Sequence, residues 1–286
     1  MDLSSAPTDW PHIQASRMVA CAPHSWHVQE MGDGPLILLL HGAGGGTQSW
    51  RHLMPLLAKT HRIIAIDLPG QGMTRLGARH RCSLPHMAQD IAALCRQEGW
   101  QPVAIIGHSA GAAIALQMTL GAEKPAVIGL NAALGNFKGL AGLLFPIMAK
   151  ALAMTPMVAR IFTASAGQPR SVQRLIEGTG STLPEDDLRW YRALVGDKDH
   201  VDGTLAMMAQ WHLDPLLRAL PGHRAPTLLI TGSRDKAVPK STSRQIAEIM
   251  PHARHVDLPD LGHLAHEENA QAVLTPIARF LAEANG

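Results

Sequence analysis

The chain carries a serine, an aspartate and a histidine in settings that suit nucleophilic acyl chemistry. Ser109 is the centre of Gly107-His108-Ser109-Ala110-Gly111, after the apolar run Val103-Ala104-Ile105-Ile106 and before the small-residue stretch from Ala110 to Leu120. A β-branched run followed by such a stretch predicts a buried strand and then a helix. A serine at the sharp turn between them is a nucleophile elbow, strained so that Oγ stands clear of the sheet, and the flanking glycines allow close backbone approach. The pentapeptide alone is a weak pattern. The order of strand, elbow and helix gives it weight.

A serine hydroxyl is a poor nucleophile at neutral pH and needs a base within hydrogen-bond reach, itself oriented by a carboxylate. Asp235 follows the run Thr227-Leu228-Leu229-Ile230-Thr231, and His263 follows the strand-like stretch from Ala253 to Leu258. Both lie just beyond expected strand ends, on the edge of a parallel sheet that the elbow also occupies, so the three side chains can converge. With 16 histidines in the chain, a lone His-Asp pair would mean little; position after the last two strands singles this one out. Asp260 is a rival acid on the same loop as His263, although so close a spacing more often makes a local turn bond. His266 is a rival base that sits a turn further on. The run His263-Leu264-Ala265-His266-Glu267 matches neither H-E-x-x-H nor H-x-x-E-H, so no metal is expected there. Asp67 precedes the elbow and reads as structural.

A second requirement is an oxyanion hole. The run Leu36-Ile37-Leu38-Leu39-Leu40 suits a central strand buried on both faces, and it ends in His41-Gly42-Ala43-Gly44-Gly45-Gly46. A dinucleotide loop fails because Thr47 stands where G-x-G-x-x-G needs glycine, and there is no Gly-Lys-Ser/Thr for a P-loop. The His-Gly loop instead fits one half of an oxyanion hole, with backbone N–H groups from Ala43 and Ala110. The plain alternative is a flexible turn.

The remaining elements frame these residues. Residues 1–15 read as a loose arm, and the stretches 16–20 and 26–30 as a hairpin. Expected helices cover 47–59, 85–98, 241–250 and 270–284, with strands at 62–66 and 126–130. Between about 135 and 220 the alternation of strand and helix stops, leaving residues 1–134 and 221–286 as the core and 135–220 as an inserted helical cap. Candidate substrate contacts are His108 beside the nucleophile and Phe145, Met148, Met154, Met157, Met207, Met208 and Trp211 in the cap. Methionine adapts to irregular apolar ligands, although the same residues could be core filler. A membrane-surface helix is a third reading of the cap. Arg160, Arg174, Arg189 and Arg192 are interspersed there and could grip carboxylates.

Composition narrows the field. The 286 residues are 46% hydrophobic and 17% charged, with a formal net charge of +2, which suits one large α/β domain and argues against nucleic acid. Three widely spaced cysteines, Cys21, Cys82 and Cys95, suggest neither a disulfide frame nor a metal site and fit a reducing cytoplasm. The first residues lack the pattern of a signal peptide, and no apolar run is long enough to span a membrane. The expected location is cytoplasmic, with peripheral membrane contact through the cap as the variant.

The motifs together resemble the α/β-hydrolases, and more narrowly the magnesium-chelatase accessory proteins of bacteriochlorophyll synthesis. The narrower likeness rests on Ser16-Arg17, Trp26-His27-Val28-Gln29, the elbow extended to Ala113, Gly178-Thr179-Gly180-Ser181, Leu205 to Trp211, and Gly262-His263-Leu264-Ala265-His266-Glu267-Glu268. It implies an α/β-hydrolase fold, a mostly parallel central sheet with helices on both faces and the inserted cap, and no cofactor. The expected activity is that of a serine esterase acting on a bulky apolar molecule, which the resemblance points to as a tetrapyrrole. The alternative from another class is a non-catalytic accessory protein that holds porphyrin and touches chelatase subunits.

Overall fold

Eight short segments build one sheet. The computed structural model describes residues 1–135 and 169–284. Its strands are β1 (Ser16–Cys21), β2 (His24–Met31), β3 (Leu36–Leu40), β4 (Arg62–Ile66), β5 (Ala104–His108), β6 (Ala126–Leu130), β7 (Thr227–Gly232) and β8 (Ala253–Leu258). They lie in the order β1-β2-β4-β3-β5-β6-β7-β8. Strand β2 is antiparallel to both neighbours, and all other pairs are parallel. The described helices, in chain order, are α1 (Met54–Leu57), α2 (Leu84–Gln97), α3 (Ala110–Met118), α4 (Pro169–Gly178), α5 (Glu185–Gly196), α6 (Lys198–Ala209), α7 (Asp214–Ala219), α8 (Ser241–Ile249), α9 (Ala265–Glu268) and α10 (Ala270–Ala284).

The parity of the strands explains the two layers. Leu38 and Leu40 of β3 face a core shared with Met87, Ile91 and Leu94 of α2, Ile114 of α3 and Ile246 of α8. Ile37 and Leu39 face the opposite core, with Met54 of α1 and Val273, Ile277 and Phe280 of α10. Each such side chain contributes about 1.5–3 kcal/mol when fully buried. Both faces of the inner parallel strands are covered, so β3 and β6 read as unbroken apolar runs rather than alternating ones, whereas the edge strand β8 is only partly buried and mixed in polarity. All three cysteines are free, buried and part of the first of these cores. Burial pushes the Cys82 thiol up to about 11 and Cys95 up to about 12.

Two local expectations change. The helix expected over 47–59 is a 3-10 turn, Thr47–Trp50, followed by α1. Pro55 is the reason: it has no N–H to donate, and its ring would clash with the carbonyl one turn earlier in a continuous helix. The arm at 1–15 is not loose. Trp10 is buried and packs edge-on against Trp190 of α5, with ring centroids 5.6 Å apart.

The described part of the insertion, helices α4 to α7, lies in sequence between β6 and β7 and is fastened to the rest by polar contacts. Arg51 Nε donates to Asp187 of α5 at 2.9 Å, and Tyr191 Oη donates to Glu267 at 2.5 Å. Gly72 N–H donates to His200 Nδ1 of α6 at 2.9 Å. Among the described residues, no helix is long and apolar enough to cross a membrane.

Candidate active site

The carboxyl ends of β3, β5, β7 and β8 share one edge of the sheet, and the residues singled out by type and spacing follow those ends. At the end of β5 the backbone of Ser109 adopts φ 51° and ψ −113°. A non-glycine residue in that region costs on the order of 1–3 kcal/mol and persists only where its surroundings over-determine it. Here they do. Ser109 N–H donates to Leu130 O at 2.9 Å, and Ser109 O accepts from Ala112 and Ala133 N–H at 3.2 and 3.1 Å. The glycines of the elbow are needed for space, since a Cβ on Gly107 would lie 2.3 Å from Gly111 O.

Asp235 and His263 meet. His263 Nδ1–H donates to Asp235 Oδ2 at 2.8 Å. The same carboxylate accepts from Ala237 and Val238 N–H on Oδ1, at 2.8 and 2.9 Å, and from Asn131 Nδ2 on Oδ2, at 2.8 Å. Four donors therefore hold the acid in one orientation, which fixes the histidine tautomer with Nε2 free to accept a proton. Asn131, at the end of β6, also donates to Gly262 O at 3.2 Å and has a φ of 48°. Sequence reasoning misses Asn131; the available signal is a polar residue directly after a buried strand at the reactive edge. Asp260 is exposed, with its N–H bonded to Ser233 Oγ. His266 is fully buried, its ring packed against those of His108 and Trp50.

The His-Gly loop lies against the elbow. A Cβ on Gly42 would be 2.7 Å from His108 Nδ1 and 3.1 Å from Ser109 Cβ. Two buried groups set its path. His41 Nδ1–H donates to Gly42 O at 2.7 Å while Nε2 accepts from Leu68 N–H at 2.9 Å. Asp67, fully buried, accepts from Thr47 N–H at 2.6 Å, Met73 N–H at 2.8 Å and His27 Nδ1 at 2.6 Å. Burial raises the pKa of this carboxyl, but His27, His41 and the Met73 N–H more than offset it, leaving it below the ordinary carboxylate value. Ala43 is exposed at the tip of the loop, and Ala110 opens α3, where the first N–H groups have no partner within the helix. Gln71 links this loop to the insertion: its Oε1 accepts from Gly44 N–H at 2.8 Å, and its Nε2 donates to Met207 Sδ at 3.2 Å.

The expected substrate contacts separate. His108 is buried, not open to a ligand; its Nε2–H donates to His263 O at 3.0 Å. Its ring lies between those of His263 and His266, with centroids 4.8 and 4.6 Å away, and Trp50 stacks beyond His266 at 4.8 Å. Two histidines of this column, His108 and His266, are neutral. Burial, then the neighbouring histidines, hold His108 well below its ordinary pKa; burial and Arg51 lower His266 to about 3. Met207 is buried in the main core, whereas Met208 and Trp211 are half-buried. Phe145, Met148, Met154, Met157 and Arg160 lie outside the described residues. Two of the arginines expected to grip a ligand have protein partners, Arg189 with Asp9 and Arg192 with Glu185, and Arg174 is exposed. Among the described residues, no group of three or more potential ligands could hold a metal ion.

Comparison with known proteins bears on the family. A family model described as alpha/beta hydrolase fold matches residues 35–270. The "Magnesium-chelatase 30 kDa subunit" of Rhodobacter capsulatus is 42% identical over 285 residues, covering 98% of this chain and 99% of that protein. A pimeloyl-[acyl-carrier protein] methyl ester esterase of Aeromonas hydrophila is 27% identical, over 89% of this chain and 98% of its own. Among solved structures, a thermophilic esterase from Thermogutta terrifontis superposes with a TM-score of 0.75 at 20% identity, over 95% of this chain and 99% of its own. An epoxide hydrolase superposes with a TM-score of 0.79 at 19% identity, over 94% and 98%. Likeness at those identities concerns the fold alone.

Proposed function

The chain belongs to the α/β-hydrolase fold family, and we propose that it works there as a serine hydrolase that cleaves an ester or related acyl bond of a bulky apolar molecule. The observation that carries this reading is the 2.8 Å bond from His263 Nδ1–H to Asp235 at the edge where Ser109 sits on its strained turn. A residue set that costs strain and buries a carboxylate is hard to explain by packing alone.

In this mechanism Ser109 Oγ attacks the substrate carbonyl while His263 Nε2 takes its proton. The tetrahedral oxyanion is bound by the N–H groups of Ala43 and Ala110, where fixed dipoles act without reorganising. His263 then returns the proton to the departing oxygen, and the acyl group stays on Ser109. Water, deprotonated by the same nitrogen, hydrolyses the acyl-enzyme and restores the serine. Asp235 keeps its charge throughout and stabilises the imidazolium.

A fluorophosphonate probe tests the reading. Labelling of the native protein is expected, with none in Ser109→Ala of unchanged fold. Labelling that persists in that variant removes Ser109 from the mechanism.

The relative named as a magnesium-chelatase subunit supports a second reading, in which the insertion holds a porphyrin for delivery to a chelatase. Fluorescence quenching separates the two. Under the second reading Ser109→Ala binds protoporphyrin at micromolar concentration or below, equivalent to about −8 kcal/mol or better. No saturable binding, alongside turnover of a long-chain acyl ester, removes the tetrapyrrole and leaves the hydrolase.

A further inference from the structure

The segment Gly178-Thr179-Gly180-Ser181 belongs to the insertion, yet it lies between the two loops that carry Asp235 and His263. Lys236 N–H, one residue after the acid, donates to Thr179 O at 3.0 Å. Leu264 N–H, one residue after the histidine, donates to Ser181 Oγ at 2.8 Å. Ser181 is itself buried. Between these bonds the three backbones touch. Gly180 has a φ of 86°, and a Cβ there would sit 2.0 Å from Arg234 O; a Cβ on Gly262 would sit 2.4 Å from Gly180 O. Glu268 closes the far side, accepting from Gly262 N–H at 2.7 Å and from Thr182 N–H at 3.4 Å.

Backbone bonds made by the two loops to each other lie upstream of the reactive residues. Ser233 N–H donates to Leu258 O at 2.9 Å and Arg234 N–H to Leu261 O at 2.8 Å. Immediately downstream of Asp235 and of His263, the partner is the inserted segment. Each loop is thus held on both sides of its reactive residue, and the second hold comes from another part of the chain.

We propose that Ser181 is a positioning residue of the catalytic site, clamping the His263 loop to the Asp235 loop through the turn at Thr179–Gly180. The inference rests on the Ser109–His263–Asp235 reading. The clamp acts on geometry alone and takes no part in proton transfer. Its loss lets the His263 loop drift relative to the acid, and displacements near 1 Å cost on the order of a hundredfold in rate.

The test compares Ser181→Ala with Ser181→Thr, which keeps a hydroxyl. For a p-nitrophenyl ester, Ser181→Ala is expected to lower kcat at least tenfold with KM unchanged, while Ser181→Thr recovers most of the loss. In the same proteins, the ring ¹⁵N shifts of His263, assigned by their disappearance in His263→Gln, report the tautomer directly. In the native protein they are expected to show a single Nδ1–H form, and in Ser181→Ala a mixture. Native kcat together with native ring shifts in Ser181→Ala overturns the proposal, as does a Ser181→Thr variant no better than alanine. If the native protein neither turns over ester nor takes the fluorophosphonate, the hydrolase reading fails separately, and the ring shifts still decide whether Ser181 positions His263.

Discussion

Asp235→Asn is expected to keep the fold and to lower kcat by about four orders of magnitude, the scale seen when a triad histidine loses its tautomer. The reason lies in the four donors around the carboxylate. An asparagine has one oxygen and one NH₂ group. If its oxygen stays with the Ala237 and Val238 N–H groups, its NH₂ faces both Asn131 Nδ2 and His263 Nδ1. His263 must then accept on Nδ1 and carry its proton on Nε2, where it cannot take one from Ser109. Binding contacts are untouched, so KM should move little. Steady-state kinetics on a chromogenic ester is the measurement, with Asp260→Asn as the control. Asp260 is exposed, and its variant is expected to remain within about twofold of native. A large loss in Asp260→Asn and none in Asp235→Asn would reverse the assignment.

The second large effect is on acid stability. Burial lowers His200 to about 4, and burial with Arg51 lowers His266 to about 3, both from an ordinary value of 6.5. Unfolded, each histidine binds a proton below about pH 6.5; folded, it does not until the pH is far lower. Their stabilising contribution is therefore complete above pH 6.5 and is lost as pH falls towards 4 for His200 and 3 for His266. Each costs about 1.4 kcal/mol per pH unit within its window, or roughly 3 kcal/mol per unit for the two together. His108, also held well below its ordinary value, adds to the slope. Glu267 opposes it: burial, partly countered by Arg51, raises its carboxyl, so its contribution improves as pH falls towards 4.5. Urea unfolding at pH 7, 6, 5 and 4 should show a steep fall across that range, and His200→Gln should flatten it by about one proton. A level profile between pH 6 and 4 would mean that these rings are charged in the folded protein.

The fold is legible because its signals are local. Runs such as Leu36–Leu40 and Ala126–Leu130 fall on strands with both faces covered, and the elbow pentapeptide carries its own turn chemistry. Ser109 and Asp235 stand out because each follows a strand that such a run marks, and His263 because it follows the last strand-like stretch, Ala253–Leu258. What escapes depends on contacts between distant segments. No pattern in the sequence says that Asn131 will reach Asp235, that Gln71 will span from Gly44 to Met207, or that His108 will turn inwards to His263 O. The carboxylate that Arg189 of the insertion meets is Asp9, from the far end of the chain, and no local pattern announces that pairing. The arm at 1–15 reads as unstructured because everything that anchors it is long-range: Trp10 against Trp190, Asp9 with Arg189, and Pro11 O accepting from Gln29 Nε2.

Cys21, Cys82 and Cys95 lie in the same core, between β1, the approach to α2 and α2 itself. A thiol alkylates only as thiolate and only when reached, and burial denies both to all three. The surface therefore offers no native thiol, and a cysteine introduced into the insertion would carry a spectroscopic label without background. The native three become a clock of another kind. Their alkylation rate counts openings of the layer under α2, and it is blind to the layer under α10, where no sulfhydryl lies. One reagent thus reads the breathing of one half of the molecule, and the silence of the other half is built into the sequence.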